Sequence, residues 1–169
     1  MANITFIIPT IGRESLQATL DSIDAWEGDE VIVKWDIPPS GKWGNPQRNE
    51  AMAEATCPYL AFIDDDDWYA DDARYIMDEA IKDSPNQPIL FKIEYPNGNR
   101  IWKEKKIIPG NISTQMILVP NDKDKLYHWE GGRNMADFIF VDKWKWADEE
   151  IVWRPEVIAL MGHDDKGKL

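Results

Sequence analysis

Four consecutive aspartates, Asp64-Asp65-Asp66-Asp67, are the residues of this chain best suited to chemistry. Adjacent carboxylates repel one another and disfavour a packed element, so water, a cation or both must offset their charge. A hard divalent cation needs several oxygen ligands, and such a run supplies them. The competing reading is a solvated loop, with Asp71 or Asp72 capping the helix that follows. An EF-hand is excluded by spacing. Counted from Asp64 or Asp65, the sixth position is Tyr69 or Ala70, where that loop needs Gly. The twelfth is Tyr75 or Ile76, where it needs Glu. Cys57 with His128 or His163 would offer a nucleophile and a base, but Cys57 abuts Pro58 and an apolar run, which suits a buried inert thiol. Neither GxxxxGK[ST] nor GxGxxG occurs, which removes the two commonest phosphate-cradling loops.

The aspartates follow directly on Tyr59-Leu60-Ala61-Phe62-Ile63, an apolar run that reads as a strand. Two further runs of the same kind precede it: Ile4 to Ile8, closed by Pro9, and Val31-Ile32-Val33, both read as buried strands. Between them Leu16, Leu20 and Ile23 recur at helical spacing. Pro46 suits the first turn of a second helix carrying Ala51, Ala53 and Ala55. Ala73, Ile76, Met77, Ala80 and Ile81 mark a third, stopped by Ser84-Pro85. Strand and helix thus alternate three times, the pattern of a doubly wound sheet in which ligands bind beyond the carboxyl ends of the strands. In the second half, Ile89 to Ile93 leads through Asn97-Gly98 to Arg100-Ile101-Trp102, a hairpin signal. Met116 to Val119, Ile151 to Trp153 and Val157 to Leu160 read as further strands, and a short helix is expected from Asp137 to Lys145. No repeat or linker interrupts the 169 residues, so one α/β domain is expected.

Composition narrows the classes of function. A formal charge of −12 argues against a nucleic-acid reader that works by neutralising phosphates, while leaving a nucleic-acid acceptor open. No apolar stretch approaches the roughly 20 residues that span a bilayer. The lone Cys57 and the lack of a basic, apolar leader pattern after Met1 lead to the expectation of a cytoplasmic protein. Nine tryptophans are many for a core of this size; their faces suit sugar rings and nucleobases, or plain packing.

In order and spacing, several of these segments together resemble the family 2 glycosyltransferases of the GT-A fold. The matching residues are Ile4-Thr5-Phe6-Ile7-Ile8-Pro9-Thr10 with Gly12-Arg13, the strand ending at Asp36, Arg48-Asn49, and Phe62-Ile63 followed by the four aspartates and Trp68. The resemblance covers about the first 80 residues. It implies a single GT-A-like, Rossmann-like domain with a mostly parallel central sheet flanked by helices, divided into a nucleotide-binding half (1–85) and an acceptor-side half (86–169). It also implies a sugar transfer from a nucleoside-diphosphate sugar, UDP-linked by preference, to an acceptor that the sequence leaves unnamed. Pro9, Thr10 and Arg13 would line the nucleotide pocket, Asp36 would face the base, and Arg48 would lie near the diphosphate or ribose. Asp64 and Asp66 would form the D-x-D pair, with Asp64 and Asp65 on the donor and Asp66 and Asp67 on Mn²⁺ or Mg²⁺. The run allows a one-place slip in these roles. In the second half, Met135-Ala136-Asp137-Phe138 stands where the family carries its acidic motif, with Ala136 replacing a Glu. Asp137 is then the expected catalytic base and Glu130 the fallback. His163 matches a late histidine that some relatives place on the metal. The chain is short for the fold, which leads to the expectation that a homodimer completes the acceptor side. A non-catalytic nucleotide-sugar-binding module is the alternative. A nucleotidyltransferase is a further one, though Thr10-Ile11-Gly12-Arg13 is too short and too poor in Gly for its usual loop.

Overall fold

The computed structural model describes residues 1–163. Strand β1 (Ile4–Thr10) is buried along its whole length, as an uninterrupted apolar run requires when both faces of a strand are covered. It is flanked in parallel by β2 (Glu30–Trp35) and by β3 (Tyr59–Phe62). Helices α1 (Leu16–Asp21), α2 (Asn45–Glu54) and α3 (Ala73–Asp83) follow these strands, with Pro46 in the first turn of α2 as expected. Asp72 is the N-cap of α3 but makes no side-chain capping bond. The second half adds β5 (Ile89–Glu94), β6 (Arg100–Ile101), β7 (Ile117–Pro120), α4 (Ala136–Asp142) and β8 (Val152–Leu160). A two-residue β4 (Trp68–Tyr69), which no sequence signal marks, follows the aspartates and pairs with β8.

The strands form one eight-stranded sheet in the order β2-β1-β3-β7-β5-β8-β4, with β6 hydrogen-bonded to β5. The pairings make β2, β1, β3, β5 and β8 run one way and β7, β4 and β6 the other, so the sheet is mostly but not fully parallel. The exception that matters is β7. It lies antiparallel between β3 and β5, with Ala61 opposite Leu118 and Tyr59 opposite Pro120. The start of β7 therefore sits at the edge where β3 ends, and the residues just before β7 join the loops at the carboxyl ends of β1, β2 and β3.

Three expectations need correcting. Val31 to Val33 is not a buried strand: β2 is an edge strand with one partner, and Val31 is exposed. The two late strands are one, β8, which runs through Pro155 with an irregular register against β5 between Leu90 and Ile93. Pro lacks an N–H and is tolerated where the ladder is already interrupted. The last helix ends at Asp142 rather than Lys145.

Packing around the site is aromatic. Trp129 stacks on Phe140 with centroids 4.2 Å apart and meets Phe62 edge-on at 5.2 Å, which fixes the loop before α4 to the end of β3. The nine tryptophans divide: Trp102, Trp129, Trp144 and Trp146 are core, whereas Trp35 and Trp43 are more than half exposed. At the other end of the sheet, Arg74 pairs in a two-toothed contact with buried Asp29, at 2.7 and 3.0 Å, tying α3 to the loop before β2.

Candidate active site

The carboxyl ends of β1, β2, β3 and β8, the residues before β7 and the loop before α4 enclose a cavity of about 340 Å³. The sequence-expected residues Pro9, Thr10, Arg13, Asp36 and Arg48 line it. So do Asp64, Asp65, Asp66, Asp137 and His163. Asp67 does not reach the wall; its side chain is wholly buried behind the others. Glu130 lies outside the cavity, where it is exposed and accepts a bond from Tyr127 and contacts His128 Nε2, each at 3.0 Å.

The four aspartates are held together by two arginines and by neutral donors that reach them from several elements. Asp65 is buried and accepts from Thr10 Oγ1 at 2.6 Å, and Arg13 Nε lies 3.2 Å from its other oxygen. The same Arg13 reaches Asp66 at 2.8 Å, so one half-exposed guanidinium bridges two neighbours. Asp64 pairs with the buried Arg48 and accepts a bond from Gln115 Nε2 at 3.0 Å. Asp67 accepts from the Gly162 backbone N–H at 2.8 Å and from Gln115. Burial, helped by the charges of Asp64 and Asp66, pushes the Asp67 carboxyl up to about 8, despite the bonds from Gly162 and Gln115. Asp66 is raised as well, by burial first and by the Asp64 charge next, against the pull of Arg13.

Two arginines against four aspartates leave such a cluster short of positive charge. One oxygen each of Asp66 and Asp67 and one ring nitrogen of His163 lie within 4.8 Å of one another. Hard carboxylate oxygens with an imidazole suit Mn²⁺ or Mg²⁺ in donor type.

The wall beside β1 and β2 is built on backbone geometry. Asp36, just after β2, accepts from the N–H and hydroxyl of Ser40 and so shapes the loop that follows. Gly44 adopts φ +75°, and a Cβ there would lie 2.8 Å from Pro9 Cβ; only glycine lets this loop close on β1. Arg48 then donates to the Trp43 carbonyl at 2.8 Å and lies 4.7 Å over the Trp129 ring. Its Nε, and the Nε1 of Trp129, are buried without a hydrogen-bond partner among the described residues. Asn45 and Asn49 clamp the loop before α4 by bonds of 2.9 Å to the carbonyls of Gly131 and Trp129. Asp137 is buried in the first turn of α4, whose N-cap is Met135. An acid there is favoured by the helix dipole.

Several site residues carried no sequence signal. Ser113, Thr114 and Gln115 precede β7 and line the cavity only because β7 is antiparallel. Arg133 lines it too, its guanidinium 5.5 Å over the ring of Trp43.

Comparison with curated proteins gives no match. Among solved structures, TarS of S. aureus is similar over 94% of this chain with a TM-score of 0.72 at 14% identity, the chain spanning 36% of that structure. TarS 1-349 in complex with UDP-GlcNAc is similar over 94% of the chain, with a TM-score of 0.72 at 16% identity and 58% of that structure spanned. TarS 1-349 with UDP gives a TM-score of 0.67 at 13% identity, over 94% of the chain and 60% of that structure. At such identity the likeness is one of fold, and the GT-A-like architecture expected from the sequence is the one observed. The profile of glycosyl transferase family 2 matches residues 39–140, which hold Arg48, the four aspartates and Asp137. The chain belongs to glycosyl transferase family 2.

Proposed function

We propose that the protein is a metal-dependent, inverting glycosyltransferase that moves a sugar from a UDP-sugar to an acceptor hydroxyl. The observation that carries this reading is the single cavity walled by Thr10, Asp36 and Arg48, by Asp64 to Asp66, and by Asp137. The UDP-GlcNAc and UDP complexes of TarS, similar in fold, support the donor class.

Asp66, Asp67 and His163 would hold the cation. Bound there, Mn²⁺ or Mg²⁺ supplies Lewis-acid stabilisation of charge on the departing diphosphate. The chain's own residues do the rest. Arg48, held in place by Asp64 and Trp43, lines the cavity beside the aspartates and would place its positive charge near the diphosphate. Asp36 and Pro9 bound the space for the base. Asp137 takes the proton from the attacking hydroxyl as that oxygen bonds to the anomeric carbon and the carbon–diphosphate bond breaks. One displacement of this kind inverts the anomeric centre.

The test is calorimetric titration of UDP, first with Mn²⁺ and then with chelator. UDP is expected to bind with the ion and at least about ten-fold more weakly without it. Equal affinity in both conditions removes the metal role, and no binding in either removes the donor class.

A further inference from the structure

Resting on that reading of the acidic cluster, we propose that Gln115 is a positioning residue, whose amide fixes Asp67, one of the cation's ligands, by tying it to Asp64, the partner of Arg48. Its carboxamide has two N–H donors, and both go to the cluster: one to Asp64 Oδ2 at 3.0 Å, the other to Asp67 Oδ2. Its oxygen accepts from Ser113 Oγ at 2.7 Å. The two carboxylates fix the sense of the amide, because a flipped Gln115 would turn its carbonyl oxygen on them, and the bond from Ser113 anchors that oxygen. Gln115 is 1% exposed, so water cannot replace these bonds.

The remaining contacts of the two carboxylates explain why Gln115 sets the spacing. Asp64 uses its other oxygen on Arg48, and Asp67 uses its other oxygen on the Gly162 N–H. Arg48 comes from α2 and Gly162 follows β8, and among the described residues Gln115 is the side chain that hydrogen-bonds to both aspartates. Asp67 has no exposed surface, so its carboxylate goes where Gln115 and Gly162 hold it. A neutral amide suits this position. Lysine or arginine would neutralise the cluster and compete with a cation, whereas a carboxylate would set a further negative charge against Asp64 and Asp67. Groups that orient a ligand without touching the metal commonly carry 10–100-fold in metal affinity.

The test is calorimetric titration of Mn²⁺ into the nucleotide-free protein, for wild type, Gln115→Leu and Ser113→Ala, beside melting temperatures in chelator. Gln115→Leu keeps the bulk and removes both donors; Ser113→Ala leaves the amide in place but removes the bond that anchors its oxygen. Gln115→Leu is expected to weaken Mn²⁺ binding by at least about ten-fold. Ser113→Ala is expected to weaken it by less, and it decides the matter if Gln115→Leu does not fold. Variants that melt lower yet bind Mn²⁺ as wild type does would reduce Gln115 to a packing residue. Wild-type protein that binds no Mn²⁺ would overturn this inference and the metal role together, which separates the two failures.

Discussion

Asp137 is one carboxylate among many in an acidic chain, and what distinguishes it is its place: buried, on the cavity wall, in the first turn of α4. Asparagine keeps its shape and cannot take a proton. Asp137→Asn is therefore expected to bind UDP with wild-type affinity and to lose about 10²–10⁴ in transfer rate. Radiolabelled-sugar transfer under single-turnover conditions, beside calorimetry with UDP, measures the two separately. A variant that transfers at the wild-type rate would make Asp137 structural, and one that also loses UDP would make it part of the donor site. Its competing role is structural: Met135 is the N-cap of α4, and Asp137 accepts from the Phe138 N–H of the first turn at 2.9 Å, a bond that Asn keeps. At this scale the acidic run, Thr10, Arg48 and Asp137 could be read from sequence because their types and spacing form a family pattern. Gln115 could not. An amide within Ser113-Thr114-Gln115 looks like any polar turn until its two acidic partners, about fifty positions earlier, are brought to it.

Elements decide which residues meet, and here the direction of one strand carries much of the site. The alternation of the first half made the parallel trio β2-β1-β3 legible. Nothing in Ile117 to Val119 reveals that β7 runs against it, because an apolar strand reads the same in either direction. The end of β8 is a similar case. Pro155 divides it in the sequence, yet the strand continues and carries Met161 and His163 to the cavity. Gly162 makes that delivery sterically possible, since a Cβ there would collide with the carbonyl oxygen of Asp66. That obstacle is backbone, not the end of a flexible side chain, so the segment or the aspartate run must move. Gly162→Ala is expected to break the bond from its N–H to Asp67 and to lower stability by about 1–3 kcal/mol. Thermal unfolding in chelator measures it, with Gly132→Ala as the control, since a Cβ at Gly132 meets nothing within 4 Å. Equal melting temperatures for the two variants would mean that the close approach at Gly162 is easily relaxed.

Across the whole molecule the two halves of the sequence are woven into one sheet, and the cavity inherits that. β3 of the first half pairs with β7 of the second, and β4 of the first half pairs with β8. Asp67 is held by Gln115 and Gly162, and Asn45 and Asn49 bond the loop before α4. Neither half can close its part of the site without the other, and neither can cover its sheet edge alone. Unfolding is therefore expected as one cooperative transition. A ligand that bridges the cavity should move that transition as a unit. At a concentration of UDP with Mn²⁺ about 100 times its dissociation constant, mass action adds about 2.7 kcal/mol. In a domain of this size each kcal/mol raises the midpoint by about 2–4 °C, so a shift of about 5–11 °C is expected. Differential scanning calorimetry with and without the ligand pair supplies the measurement. Two transitions, of which the ligand moves only one, would show that the halves fold separately and that the cavity belongs to one of them. A single transition that UDP with Mn²⁺ leaves in place would show that the cavity does not bind this donor class. A single transition displaced by several degrees is the outcome that a site walled from both halves requires.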